Sequence, residues 1–215
     1  MPPRTTSNVA VIRNTALKLF SEGGYTGTSM RDIAATAGVS TANIYNYAES
    51  KEELLWNLIR ESTDMLTGVA QRVLAGRVCP VDRLSVLVGA HVEFHVRNPW
   101  RARVLAQQVQ HLSAVHRRVA KASQAEYQEH FASAIEEGVE LRMFRTEHGR
   151  LATPAILWMG IGTNRWFVRG GPDTAQSVSR VLTEFALGLL AYDESAHEKG
   201  CPQPGAGHSQ QPGPG

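Results

Sequence analysis

Two short helical stretches, separated by Ala37-Gly38-Val39-Ser40, constrain this chain more than any other feature. Ahead of the break, Met30, Ile33, Ala34 and Ala37 fall on one helical face. Ser29 can cap that helix, and Asp32 follows three residues on, where a carboxylate suits the positive helix start. Behind the break, Ser40 opens a second helix to about Tyr47. Ala34 is small enough to let two helices cross. Gly38 tolerates the left-handed backbone of a tight turn, and Ile44 pins the second helix on the first. The spacing 34, 38, 44 is that of a helix-turn-helix, whose second helix is free to enter a DNA major groove.

The rest of the chain also reads as helix. Val9, Ile12, Ala16, Leu19 and Phe20 recur at helical spacing until Gly23-Gly24. Ser50-x-x-Glu53 has the form of a capping box opening a long helix whose stripe runs from Leu54 to Val73. Past Gly76 and Pro80, a fifth helix carries Leu84, Leu87, Val88, His91, Phe94 and His95, and Asn98-Pro99 breaks it. Further helices are expected over about 100–112, from His116 to Leu141, and to about Val168 with Pro154 in the first turn. A last one runs from Asp173 or Thr174 to Tyr192. No strand alternation and no internal repeat is present. The expected fold class is therefore all-α, with about nine helices. An N-terminal three-helix helix-turn-helix domain (1–49) precedes a larger helical domain (50–195). Residues 196–215 are rich in Gly, Pro, Gln, Ser and His and are expected to be disordered.

Composition narrows the function classes. No apolar run reaches the ~20 residues needed to cross a bilayer. Met1-Pro2-Pro3-Arg4 has no signal-peptide core, so a cytoplasmic location without membrane contact is expected. Net charge is only +2. Cys79 and Cys201 lie far apart and outside any C-x-x-C, which argues for a reducing compartment and against a disulfide frame or a cysteine-rich metal site. There is no phosphate loop, nucleophile elbow or H-E-x-x-H, so neither enzyme activity nor a cofactor is expected. The nearest metal constellation is His91-x-Glu93-x-His95. His91 and His95 share a helix face and could ligate zinc with His111 or His116. A metal-dependent sensor or enzyme is thus one alternative, and an interaction scaffold that has lost DNA binding is another.

The run Gly24-Tyr25-Thr26-Gly27-Thr28-Ser29-Met30-Arg31-Asp32-Ile33-Ala34, continued by Ala37-Gly38-Val39-Ser40, Ile44-Tyr45-Asn46-Tyr47 and Ser50-Lys51-Glu52-Glu53-Leu54-Leu55, resembles the TetR family of transcriptional regulators. Ala48 departs from that pattern, which places an aromatic there. The resemblance implies that Arg31 contacts phosphate or a base, that Thr41, Ala42, Asn43 and Asn46 face base edges, and that Tyr45, Tyr47 and Lys51 hold phosphates. The chemistry of these side chains agrees, since Asn pairs with adenine in a bidentate way and Tyr and Lys position backbone. Tyr45 can equally pack beneath its own helix, and Lys51 can balance Glu52-Glu53.

The family resemblance further implies a homodimer through the last two helices, a palindromic double-stranded operator, and a small-molecule effector that releases a repressor. The stretch 155–162 is apolar nearly all round, and Gly160, Gly162 and Gly188 allow close helix approach. Candidate effector contacts are His91, His95, Trp100, Arg101, Tyr127, Phe131, Trp158, Asn164 and Trp166, although a histidine on an apolar face is more often satisfied core. The span from Glu126 to Phe144 and the Trp166-Phe167 helix end resemble regulators that sense acyl-CoA thioesters. Arg97, Arg101, Arg103 and Arg117-Arg118 offer phosphate forks for such a ligand.

Overall fold

The computed structural model describes residues 4–74 and 79–201. The expected all-α fold is observed. Ten α-helices and one 3-10 turn lie among the described residues, without a strand: α1 (Arg4–Glu22), α2 (Met30–Ala37), α3 (Thr41–Tyr45), α4 (Lys51–Leu74), α5 (Pro80–Arg97), α6 (Pro99–Gln107), a 3-10 turn (Val109–His111), α7 (Ala114–Glu140), α8 (Gly149–Trp166), α9 (Ala175–Leu189) and α10 (Glu194–Gly200).

Local chemistry sets the helix-turn-helix. Ser29 and Asp32 close a reciprocal capping box at the start of α2. Gly38 ends that helix at φ 65°, and Ser40 accepts the amide of Asn43 to start α3. Beneath them, Phe20, Ile33 and Ile44 are fully buried with Leu54, Leu55, Leu58 and Ile59 of α4. Val104, Leu112 and Ala120 join the same cluster, so apolar packing is continuous across the proposed 49/50 division. Ala48 is buried here.

A second core surrounds α5, which packs against α4, α7, α8 and α9. Three expectations are corrected. α8 begins at Gly149, so Pro154 lies inside the helix rather than in its first turn. Residues 194–200 are helical: Asp193 caps α10 through the amides of Ser195 and Ala196, a polar start that a reading by composition overlooked. The cysteines also pair. Cys79, at the start of α5, is disulfide-bonded to Cys201, at the end of α10, with Cα atoms 5.7 Å apart and 122 residues between them in sequence. Sequence spacing carries no signal for a contact that far apart; it arises because α10 folds back to the start of α5. Residues 202–215 and the break at Gly76 lie outside the described residues.

Candidate nucleic-acid interface and effector cavity

The helix-turn-helix presents one polar face. Arg31, Ala42, Tyr45 and Asn46 are exposed, and Thr41 and Asn43 are half-buried beside them. Tyr45 is 51% exposed, so it projects rather than packing beneath α3. Two of the expected phosphate contacts turn inward instead. The Lys51 ammonium donates to the carbonyls of Tyr25 and Thr28, both at 2.9 Å, and lies over the Tyr25 ring. The Tyr47 hydroxyl donates to Glu61 at 3.2 Å, and burial, with Glu61 beside it, raises its pKa. Both side chains are half-buried and held by these intramolecular bonds in the absence of DNA. Lys51 instead ties the α1–α2 loop to the start of α4.

Between α4, α5, α6, α7 and α8 lies a cleft of about 140 Å³, partly open to solvent. His91, His95, Tyr127 and Trp158 line it, together with Thr63, Leu66, Gln124 and Gln128. Its polar groups are organised in advance. His91 donates from Nε2 to the Leu157 carbonyl at 3.0 Å and accepts the Tyr127 hydroxyl at Nδ1. The Asn164 amide donates to His95 Nδ1 at 3.1 Å. Burial holds the pKa of His91 down to about 4; burial and then the neighbouring His91 hold that of His95 down to about 3. Both rings are thus neutral near pH 7. Gly160 makes room for His91, since a Cβ there would sit 2.3 Å from Cδ2.

The other predicted contacts lie elsewhere. Phe131 is fully buried behind His91, and Asn164 acts through His95. Trp100 and Arg101 line a separate cleft with Arg97 and Arg169. Trp166 is exposed at the far end of α8. The bond partners of His91 and His95 leave no zinc set with His111, which stacks on Tyr25, or His116, which bonds Glu52. Sequence reading missed Gln124 and Gln128, although their i, i+4 spacing around Tyr127 is a legible signal on α7.

One helix touches both regions. Ala102, Leu105 and Ala106 of α6 line the cleft, while Val104 enters the N-terminal core. Arg101, on the same helix, bonds Glu61 of α4 at 3.4 Å, and that carboxylate also takes Arg13 of α1 and the Tyr47 hydroxyl. Further on, the Gln108 side chain accepts the Tyr25 amide.

The outer face of α8 and α9 is apolar. Leu151, Ala155, Trp158 and Trp166 of α8 are exposed, as are Phe185, Gly188 and Leu189 of α9. Trp158 is 66% exposed and Phe185 59%.

Comparison with known proteins decides the family. Residues 12–57 match the model "Bacterial regulatory proteins, tetR family", and residues 78–190 match "Tetracyclin repressor-like, C-terminal domain". The chain belongs to the TetR family. It is a helix-turn-helix DNA-binding transcriptional regulator, and its relatives include repressors. The TetR chain is 25% identical over 203 residues to the transcriptional repressor KstR2 of Mycolicibacterium smegmatis, covering 90% of this chain and 98% of that protein. The structure of the ketosteroid transcriptional regulator KstR2 of Mycobacterium tuberculosis superposes with a TM-score of 0.78 at 25% identity, covering 87% and 95% of the two chains. AibR in complex with isovaleryl coenzyme A and operator DNA shares the TetR fold, with a TM-score of 0.74 at 22% identity over 86% and 99% of the chains.

Proposed function

We propose that the protein is a cytoplasmic repressor that binds a palindromic operator as a homodimer and is released by an acyl-CoA thioester. The observation that carries this reading is α6, one helix that both walls the cleft and reaches the DNA-binding core through Arg101 and Glu61. A ligand that moves α6 acts on both. It shifts the equilibrium only by its differential affinity for the two positions of that helix.

The ligand class follows from the walls. The cleft offers an apolar slot with a few neutral polar groups, which suits an acyl chain and its thioester carbonyl. Leu66 and Tyr127 are shared with a neighbouring cavity of about 200 Å³, and Arg97 and Asn98 link that one to the cleft of Arg97, Arg101 and Arg169. Guanidinium forks at the end of an apolar path suit the phosphates of CoA. The AibR complex supports the class. The exposed stripe of α8 and α9 fits a second copy of the chain, which would set two recognition helices about 34 Å apart on one DNA face. Thr41, Ala42, Asn43 and Asn46 then read bases, with Arg31 and Tyr45 on the backbone.

The test is fluorescence anisotropy on DNA from beside the protein's own gene, with scrambled DNA as control. Binding about 10³-fold tighter than to scrambled DNA is expected. Release by acyl-CoA, but not by free CoA or free fatty acid, is expected next. Equal weak binding to both DNAs would overturn the operator assignment, and release by free fatty acid alone would overturn the CoA assignment.

A further inference from the structure

The disulfide sits in a setting that a disulfide does not use. His197 and Cys201 stand four residues apart at the end of α10, and Cys79 and Asp82 three apart at the start of α5. The two helix ends therefore bring Cys79, His197 and Cys201 together, with Asp82 more exposed at the edge of that triad. One atom each from Cys79, His197 and Cys201 lies within 4.8 Å of the others. His197 Nε2 lies 3.8 Å from an Asp82 carboxylate oxygen. On its other side, Nδ1 is held by the Tyr192 hydroxyl at 2.7 Å, so the ring is oriented with Nε2 toward the cluster. The carboxylates of Asp82, Asp193, Glu194 and Glu198 lie around Tyr192, that of Asp193 paired with Arg145.

We propose that the reduced pair Cys79 and Cys201, with His197 and Asp82, forms a zinc site, and that disulfide and metal are alternative closures of the same joint. Cys79, Cys201 and His197 supply two thiolates and an imidazole, and Asp82, beside His197 at the edge of the triad, completes a tetrahedral zinc set by turning its exposed side chain inward. Zinc at about 2.3 Å from each sulfur needs the sulfurs roughly 3.8 Å apart by tetrahedral geometry. With the Cα atoms 5.7 Å apart, rotation of the cysteine side chains, not movement of the helices, supplies that separation. Cys79 stands at the N-cap of α5, where the helix dipole favours thiolate. The Tyr192 contact is the outer-shell partner that zinc-bound histidines characteristically have. The exchange balances. A dithiol gives two electrons to the disulfide, the S–S bond breaks, and the dithiol leaves as its own disulfide. Zinc then takes the two thiolates and two protons pass to solvent. The site does not depend on the DNA-binding reading. His197 and Cys201 lie beyond residue 190, where the family match ends.

The test uses the full chain, reduced with dithiothreitol, exchanged into anaerobic buffer and titrated with Co²⁺ alone, then with Zn²⁺. One Co²⁺ per chain is expected, with tetrahedral visible bands and sulfur-to-cobalt charge transfer, both lost on adding Zn²⁺. The air-oxidised chain should show neither. His197→Ala and Asp82→Asn should each weaken binding at least about 10-fold, and Tyr192→Phe about 10- to 100-fold. Circular dichroism on each variant confirms that the helical fold is intact. A reduced wild type without the sulfur-to-cobalt band, or a band and affinity unchanged in Cys201→Ser or in His197→Ala, would overturn the proposal.

Discussion

The two working ends of this molecule treat polar groups in opposite ways. On the helix-turn-helix, Arg31, Ala42, Tyr45 and Asn46 stand in the open over a wholly apolar support of Ile33, Ile44 and Leu55. In the cleft, His91, His95 and Tyr127 are buried and bonded to one another's surroundings before any ligand arrives. A surface that reads DNA must give up water freely. A cavity that selects a small ligand must hold its polar groups still, because a loose one costs orientation at every binding event. Substitutions at the first end should therefore change binding and leave stability alone, whereas substitutions at the second should change stability first.

The sharpest break in that comparison comes from Phe131, placed by its sequence among the ligand contacts but fully buried behind His91. Phe131→Ala should destabilise the fold by about 3–5 kcal/mol, read by denaturant unfolding. A loss under about 1 kcal/mol would place the ring in the cavity wall instead. Acid is the next lever. The folded chain keeps His91 and His95 neutral with pKa values of about 4 and 3, against about 6.5 when unfolded. The unfolded chain then binds more protons below pH 6.5, so this part of the stability is whole above that pH. It falls as pH drops toward 4, by about 3 kcal/mol for His91 alone. Imidazole NMR signals of these two residues should not titrate between pH 8 and 5; a midpoint near 6.5 for either would show an open, hydrated cavity.

At the DNA end the effects are smaller and of the other kind. Asn43→Ala should lose about 2 kcal/mol of operator affinity, with altered preference at one base position and an unchanged melting temperature. Lys51→Met should behave unlike its neighbours. Losing two charged hydrogen bonds should lower stability by about 1.5 kcal/mol, with the salt slope of DNA binding hardly changed. A flatter salt slope at full stability would return Lys51 to the phosphates.

What the sequence makes legible is local. Ala34, Gly38 and Ile44 lie within eleven positions, and their sizes and backbone preferences specify the turn by themselves. The Ser29–Asp32 cap is equally short-ranged. Lys51 finds its acceptors 26 and 23 residues upstream, and Tyr47 finds Glu61 fourteen downstream, so the direction of either side chain depends on how α1 and α4 meet. The cavity was half legible. Helical spacing put His91, His95 and Tyr127 on inward faces, but whether Trp158 points in or out depends on how α7 and α8 pack. The Cys79–Cys201 contact spans 122 residues and depends on the whole second domain folding back on itself.

Trp158 carries a consequence for how such a protein diversifies. Its indole is at once a wall of the cleft and part of the bare outer face of α8. In the homodimer proposed above, one side chain then answers to two selections. A mutation that reshapes the slot for a different acyl chain also alters the surface on which the subunits pair. Descendants of this gene cannot explore new ligands at position 158 without renegotiating self-recognition, whereas Gln124 and Gln128, across the cavity on α7, are free to drift with the ligand alone.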